Sequence, residues 1–365
     1  MTKNKFYILS DIRVDDPLSE YCSIKKIDLN FIPEGLDVPV VDVIASRIFQ
    51  KEKPILILDM SNDNFRKLFT ENSKYQNFES VSKKCELIFY SKSDLLLYLD
   101  GIHKKEKDLA SWINHLRPKI ITDSKAGVFF KENYPDCEFI DHYDMFWYGN
   151  CYPHLSTLKK HRPDLDFLFI VAKKESRPLR NILYDKMESN NLLEKSISSF
   201  KPKNDRIYDD LVIDYSDYFI KSHRWKDSLP MISYYDRTNF ELVAETYAIE
   251  NFDDTFTLTE KTIKPITMLH PFMVFGSHNH LKNMRSMGFR TFGEHIDESY
   301  DSEPDVEKRA DLIIENLKIL KGSSDRFYKD TKDIREHNLL VLQHGIGEWK
   351  TKLWTRFDEF FKNIG

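Results

Sequence analysis

Short runs of successive apolar residues, each followed by a polar, helix-compatible stretch, constrain this chain more than any other feature. Ile55, Leu56, Ile57 and Leu58, closed by Asp59, are apolar on every residue rather than on alternate ones. A strand with one face in water alternates, whereas a strand covered on both faces of a parallel sheet does not. Three further segments, 6–9 (FYIL), 86–90 (ELIFY) and 119–122 (KIIT), have similar length and flanks. The first half therefore reads as α/β layering with a Rossmann-like first domain.

The texture changes between 150 and 165. Cys151-Tyr152-Pro153-His154 and His161-Arg162-Pro163-Asp164 bracket a polar stretch, and a new apolar run, FLFIVA, begins at Phe167. With 365 residues and ~100 to 200 residues per domain, two domains are the default. The expected division is a first domain over 1–155, a second over 156–325, and C-terminal helices over 326–365. In the second domain the sequence predicts a helix over 179–190, strands over 195–200 and 240–246, a helix beginning at Glu260 and broken at His270-Pro271, and a strand over 272–275 closed by Gly276. Residues 306–320 and 333–363 carry apolar side chains at three- and four-residue spacing, as amphipathic helices do.

Composition excludes several function classes. The formal net charge of −5 gives no global positive field to hold nucleic acid or an anionic membrane, so any polyanion must be held locally. Cys22, Cys85, Cys137 and Cys151 show neither CxxC spacing nor a neighbouring His pair, which signals no zinc knot and no disulfide framework. The apolar stretch at Phe6 to Leu9 is cut short by Ser10 and Asp11, unlike a signal peptide. No run approaches the ~20 apolar residues of a spanning helix. The expectation is a cytoplasmic protein without stable membrane insertion.

Chemistry concentrates between 241 and 309. Thr257 to Thr259 form a polar turn before Glu260 and Lys261, which open a helix. A helix start offers unpaired N–H groups and the positive end of the helix dipole, so it attracts phosphate, and Lys261 adds a full charge. The carboxylate of Glu260 can accept two hydroxyl hydrogen bonds at once, as a ribose diol would offer. The same residues also fit a capped helix start with an ion pair. Glu245 is open in the same way, as a ribose or base contact or as a helix-start carboxylate. Asp297, Glu298 and Asp301 lie close together, but no second cluster completes a metal site, and they read as a cap and loop lock before the helix near Val306. In the first half, Asp59, Asp63 and Asp123 stand at the carboxyl ends of candidate strands, where open α/β sheets bind ligands and where such residues also cap helices.

The segment resembles the donor-binding region of GT-B glycosyltransferases, fucosyltransferase-like enzymes in particular, in which a Glu-Lys pair opens a helix leading to a strand and a Gly turn. It is more similar still to phage and bacterial glycosyltransferase-like proteins with the patterns TEKT-x-KPI, HPF-x-x-FG, LR-x-x-GF-x-TF and DESYD. These stand here at 259–266, 270–276, 284–292 and 297–301, with Met284 replacing the usual Leu. A second patch, 167–193, is similar to the strand, Arg-rich turn and helix that open the donor domain of the same proteins. Leu179-Arg180 stands where those proteins carry His-Arg. The likeness spans 167–309 and does not extend into the first 150 residues.

The resemblance implies a GT-B-like fold: two Rossmann-like domains facing a cleft, with C-terminal helices crossing back. It also implies transfer of a sugar from a nucleoside diphosphate donor to a hydroxyl acceptor, with inversion and without a metal or other cofactor. Glu260 and Thr259, with Glu245, would hold the nucleoside, and Lys261, Arg177 and Arg180 the diphosphate. A first-domain carboxylate, Asp59, Asp63 or Asp123, would take the acceptor proton. The acceptor is a saccharide or, as an alternative, a modified base in DNA, in a bacterium or a phage-infected cell. The acidic net charge speaks against the DNA acceptor. A binding protein that keeps the nucleotide cleft without catalysis is the other alternative.

Overall fold

The structure, a computed structural model, describes residues 6–9, 17–25, 29–32, 55–59, 86–91, 117, 119–122, 134–141, 155–169, 178–198, 232–245, 256 and 258–362. The chain divides into two compact units, 1–144 with 348–365, and 145–347.

The first unit is built on a parallel sheet of β1 (Phe6–Leu9), β2 (Leu29–Ile32), β3 (Ile55–Asp59), β4 (Glu86–Ser91), β5 (Lys119–Thr122) and β6 (Phe139–Asp141). Its order is β2-β1-β3-β4-β5-β6, so the winding reverses between β1 and β3. The register sets Ile8 beside Ile57 and Ile57 beside Ile88. Ile57, Ile88, Ile121 and Ile140 are buried in one cluster with Leu18, Tyr21 and Cys22 of helix α1 (Pro17–Ile24) and with Leu353, Phe357, Phe360 and Phe361. The Tyr21 hydroxyl donates to Asp358 Oδ1 at 2.7 Å, and Lys25 Nζ reaches the same carboxylate at 2.8 Å. The four strands legible in the sequence are present, joined by β2 and β6. Those two escape a search for apolar runs because Asn30 interrupts one and the other has only three residues. Asp59 ends β3. Its side chain, together with Asp63 and Asp123, lies outside the described residues.

The second unit carries a parallel sheet of β7 (Phe167–Phe169), β8 (Ser196–Ser198), β9 (Phe240–Ala244) and β10 (Phe272–Phe275), in the order β10-β9-β7-β8. Counted within the unit this is 2-1-3-4, the winding with which the first sheet also begins, and its reversal falls between β7 and β9. The molecule is thus mixed α/β with parallel sheets. The helices are α2 (Pro178–Ser189), α3 (Ile232–Arg237), α4 (Glu260–Thr267), α5 (His280–Ser286), α6 (Val306–Leu320), α7 (Ser324–Asp330) and α8 (Lys332–Lys362). Residues of α8 up to Gly347 belong to the second unit and those from Glu348 to the first. Phe167 stacks on Phe240 (5.4 Å between ring centroids), Phe240 meets Phe327, Phe327 meets Phe292, and Phe292 meets Phe272. This train of rings binds the sheet to the segments that follow it, each edge-to-face contact contributing beyond the area it buries.

Candidate functional site

Glu245 directly follows β9 and therefore stands at the reversal of strand order, beyond the carboxyl end of the sheet, where parallel α/β sheets bind ligands. It is only 2% exposed. Among the described residues, its carboxylate accepts from Thr259 N at 3.2 Å, Thr259 Oγ1 at 2.5 Å and Thr262 Oγ1 at 2.6 Å. Thr259 is the extended N-cap of α4, and its Oγ1 accepts from Lys261 N at 3.3 Å. A buried carboxylate needs several donors to offset its lost hydration, and a helix start has donors with no partner of their own. Glu245 and the first turn of α4 satisfy each other. Glu245 has the geometry of a helix-start carboxylate.

Glu260 and Lys261 extend from that anchored turn. Lys261 Nζ donates to Glu260 Oε1 at 2.6 Å and approaches Thr259 Oγ1 at 3.4 Å, so the two charges pair. Burial works to raise the Glu260 carboxyl, but the charges of Lys261 and Lys264, with the Lys261 hydrogen bond and a backbone N–H, bring it down to about 2. Glu260 is a carboxylate throughout the physiological range. Arg180, in the first turn of α2, is 3% exposed and donates from Nη2 to the Ala244 carbonyl at 3.1 Å, one residue before Glu245. The structure thus brings Arg180, Glu245, Thr259, Glu260 and Lys261 to one end of one sheet. Arg177 lies outside the described residues.

Glu241 shares the face of β9 that Glu245 prolongs. Its Oε2 accepts from the Tyr235 hydroxyl at 2.6 Å. Burial pushes its carboxyl up to about 7, against the Tyr235 hydrogen bond and the charge of Lys264. Sequence reasoning did not single out Glu241, because one acid among apolar strand residues carries no spacing signal.

The segment 297–301 forms a lock on two helices: Asn316 of α6 holds the Asp297 backbone, accepting from Asp297 N at 2.9 Å and donating to the Asp297 carbonyl at 2.8 Å. Asp305 caps α6, accepting from Lys308 N at 3.1 Å. Asp301 instead caps α5, accepting from Leu281 N at 2.7 Å and Lys282 N at 2.9 Å. Glu298 accepts from Phe292 N at 2.7 Å, Thr291 Oγ1 at 2.7 Å and Arg285 Nη1 at 3.0 Å, while Asp297 accepts from Ser299. The 3₁₀ turn Ser299–Ser302 packs on α6, which follows it, and also back on α5. Gly288 permits this route with φ 92°, a left-handed value that glycine adopts without a Cβ penalty.

His280, also missed by sequence reasoning, is 1% exposed, and its Nε2 has no hydrogen-bond partner among the described residues. Burial lowers its pKa, and the negative charges of Glu245 and Asp301 act in the opposite direction. A Cβ on Gly276 would sit 2.8 Å from His280 Nδ1, so the turn after β10 requires glycine for this close approach. Buried Arg309 holds the same turn by donating to the Gly276 carbonyl at 2.7 Å. A Gly followed four residues later by a His was the only sequence trace of this arrangement.

Among the described residues, no group of three or more His, Cys, Asp or Glu side chains is placed to hold a metal ion, and no helix is long and apolar enough to cross a membrane. No protein-family model and no curated protein matches the chain.

Proposed function

We propose that the chain is a glycosyltransferase of the two-domain GT-B kind, which moves a sugar from a nucleoside diphosphate donor to a hydroxyl acceptor. The observation that carries this reading is the Glu245 clamp. It fixes the start of α4 at the reversal of strand order, so that a cation, Lys261, and an anion, Glu260, share one edge of the sheet. The donor diphosphate meets Lys261, the ribose hydroxyls meet Glu260, and the Glu260–Lys261 pair opens as each takes its ligand partner. Thr259 and Glu245 position that turn. Arg180, with Arg177, adds guanidinium charge beside the phosphates, which stabilises a departing nucleoside diphosphate without a metal.

A carboxylate of the first unit, Asp59, Asp63 or Asp123, accepts the acceptor's proton as its oxygen attacks the anomeric carbon. Such general-base help is worth ~10²- to 10⁴-fold. The acceptor is a saccharide or similar hydroxyl compound, consistent with the acidic net charge.

The deciding experiment is a panel of nucleoside diphosphate sugars read by calorimetry and by product mass, with Lys261→Ala beside the unaltered chain. One donor should bind and be consumed. The variant should remain folded and lose about 1.5 to 3 kcal/mol of nucleotide affinity, the range for a charge-assisted hydrogen bond. Equal nucleotide affinity in the folded variant removes Lys261 from the site, and no binding by any donor removes the reading itself.

A further inference from the structure

Helix α8 (Lys332–Lys362) differs from the other described helices in two respects. It belongs to both compact units, with the division falling after Gly347, and it carries glycine in its interior, at Gly345 and Gly347. None of α1 to α7 contains a glycine. A glycine inside a helix favours the open chain about fivefold over alanine, so its presence there calls for a reason. Gly276 and Gly288 have theirs in a close approach to His280 and in a positive φ. Neither reason holds in α8. Gly345 and Gly347 are not among the glycines of positive φ, and a Cβ on either would meet nothing within 4 Å among the described residues.

Packing supplies a second, independent observation. The two ends of α8 are held by different cores. On the second-unit side Ile334, Asn338 and Leu342 are buried, and Asn338 brackets the Arg290 backbone, accepting from its N–H at 2.8 Å and donating to its carbonyl at 2.9 Å. On the first-unit side Leu353, Phe357, Phe360 and Phe361 enter the cluster beneath the strands, and Asp358 accepts from the Tyr21 hydroxyl. Between these anchors, over 343–352, none of the described side chains is buried. A helix draws most of its stability from a packed face, and a stretch this short does not hold its form by backbone hydrogen bonds alone. The weakest helix formers of α8 therefore stand where its described side chains pack least, at the passage from one unit to the other.

We propose that α8 is hinged at Gly345 and Gly347. The stretch 343–352 opens and recloses while the segments on either side stay docked, so that the units reorient without either core unpacking. Two glycines separated by one residue spread the change in φ and ψ over both positions, and together they shift the equilibrium toward the open form about twentyfold relative to two alanines. The proposal stands whether or not the second unit takes a nucleotide.

The test uses the intact chain. Native-state hydrogen exchange, resolved along α8 and corrected for intrinsic rates, should show the amides of 345–352 exchanging about tenfold or more faster than those of 334–342 and 353–361. Replacing both residues, Gly345→Ala with Gly347→Ala, should slow the central exchange about twentyfold, and Gly345→Ala alone about fivefold, with the flanks unchanged. Residual dipolar couplings distinguish a hinge from local fraying. Measured on β3 and β4 of the first unit and on β9 and β10 of the second, they should give two different alignment magnitudes in the unaltered chain, converging in the double-alanine variant. Central amides as slow as the flanks overturn the proposal, as does one alignment magnitude shared by both units of the unaltered chain. Central exchange that the alanine pair leaves unchanged overturns it too, because the glycines are then not the pivot. The unaltered chain decides alone if the variants do not fold.

Discussion

The two ends of α4 solve opposite problems with opposite chemistry. Its start has N–H groups in need of acceptors, and they receive a buried carboxylate, Glu245, and a threonine oxygen. Its finish has carbonyls in need of donors, and they receive a lysine and an arginine: Lys159 on Met268 O, and Arg335 on Leu269 O at 2.6 Å. Both choices also complement the helix dipole. The partners come from 14 residues upstream at one end, and from 109 upstream and 66 downstream at the other. A helix of eight residues is too short to be stable alone, so its neighbours set where it begins and ends. The start carries the proposed nucleotide contacts, and the finish fastens the helix to the rest of the unit.

The largest effect on stability is expected from Glu245→Ala. Removing a buried carboxylate strands the donors of Thr259 and Thr262, and should cost about 3 kcal/mol or more by urea unfolding, with nucleotide binding lost as well. Arg335→Met strands the carbonyls of Leu269 and Tyr328 and should cost about 2 kcal/mol while nucleotide affinity is largely kept. The contrast between the two ends breaks if both variants abolish nucleotide binding equally. Thr259→Ala removes the N-cap and should cost about 1 to 2 kcal/mol, with a measurable loss of affinity because Lys261 loses its support.

The remaining signal is in the pH dependence. Unfolded, the Lys159 amine titrates near 10.5; folded, burial and the charge of Arg335 lower it to about 7, so between these values the unfolded chain binds more protons and stability rises with pH. Glu241 titrates near 4.5 unfolded and near 7 folded. Between those values the folded chain binds more protons, so its contribution falls as pH rises. Together they give the second unit a stability minimum near pH 7. Unfolding curves at several pH values should show Lys159→Met flattening the slope above 7 and Glu241→Gln flattening the slope below it. Unchanged slopes in both variants would show that neither group is perturbed as its surroundings dictate.

Much of the second unit could be read from local pattern. FMVF, bounded by His270-Pro271 and Gly276, is β10 to the residue, and the amphipathic run at 306–320 is α6. Helices α5 and α7, of seven residues each, were not legible, because two turns are too few to display a period. Residues 297–301 were legible as a lock before α6, where Asn316 holds the Asp297 backbone, but not as the cap of the preceding helix, which Asp301 supplies.

The sequence by itself determined what is local: buried parallel strands, a threonine-capped helix start with an acid and a base in its first turn, and a chain with no excess of positive charge. Strand register and winding decided the rest. They brought Glu245 under α4, set Arg180 against Ala244, and placed Lys159 and Arg335 at the far end of the same helix. A carboxylate such as Glu245 has the same local signature whether it holds a ligand or a helix. The donors that reach it come from residues separated along the chain, and only the folded sheet brings them within hydrogen-bond distance.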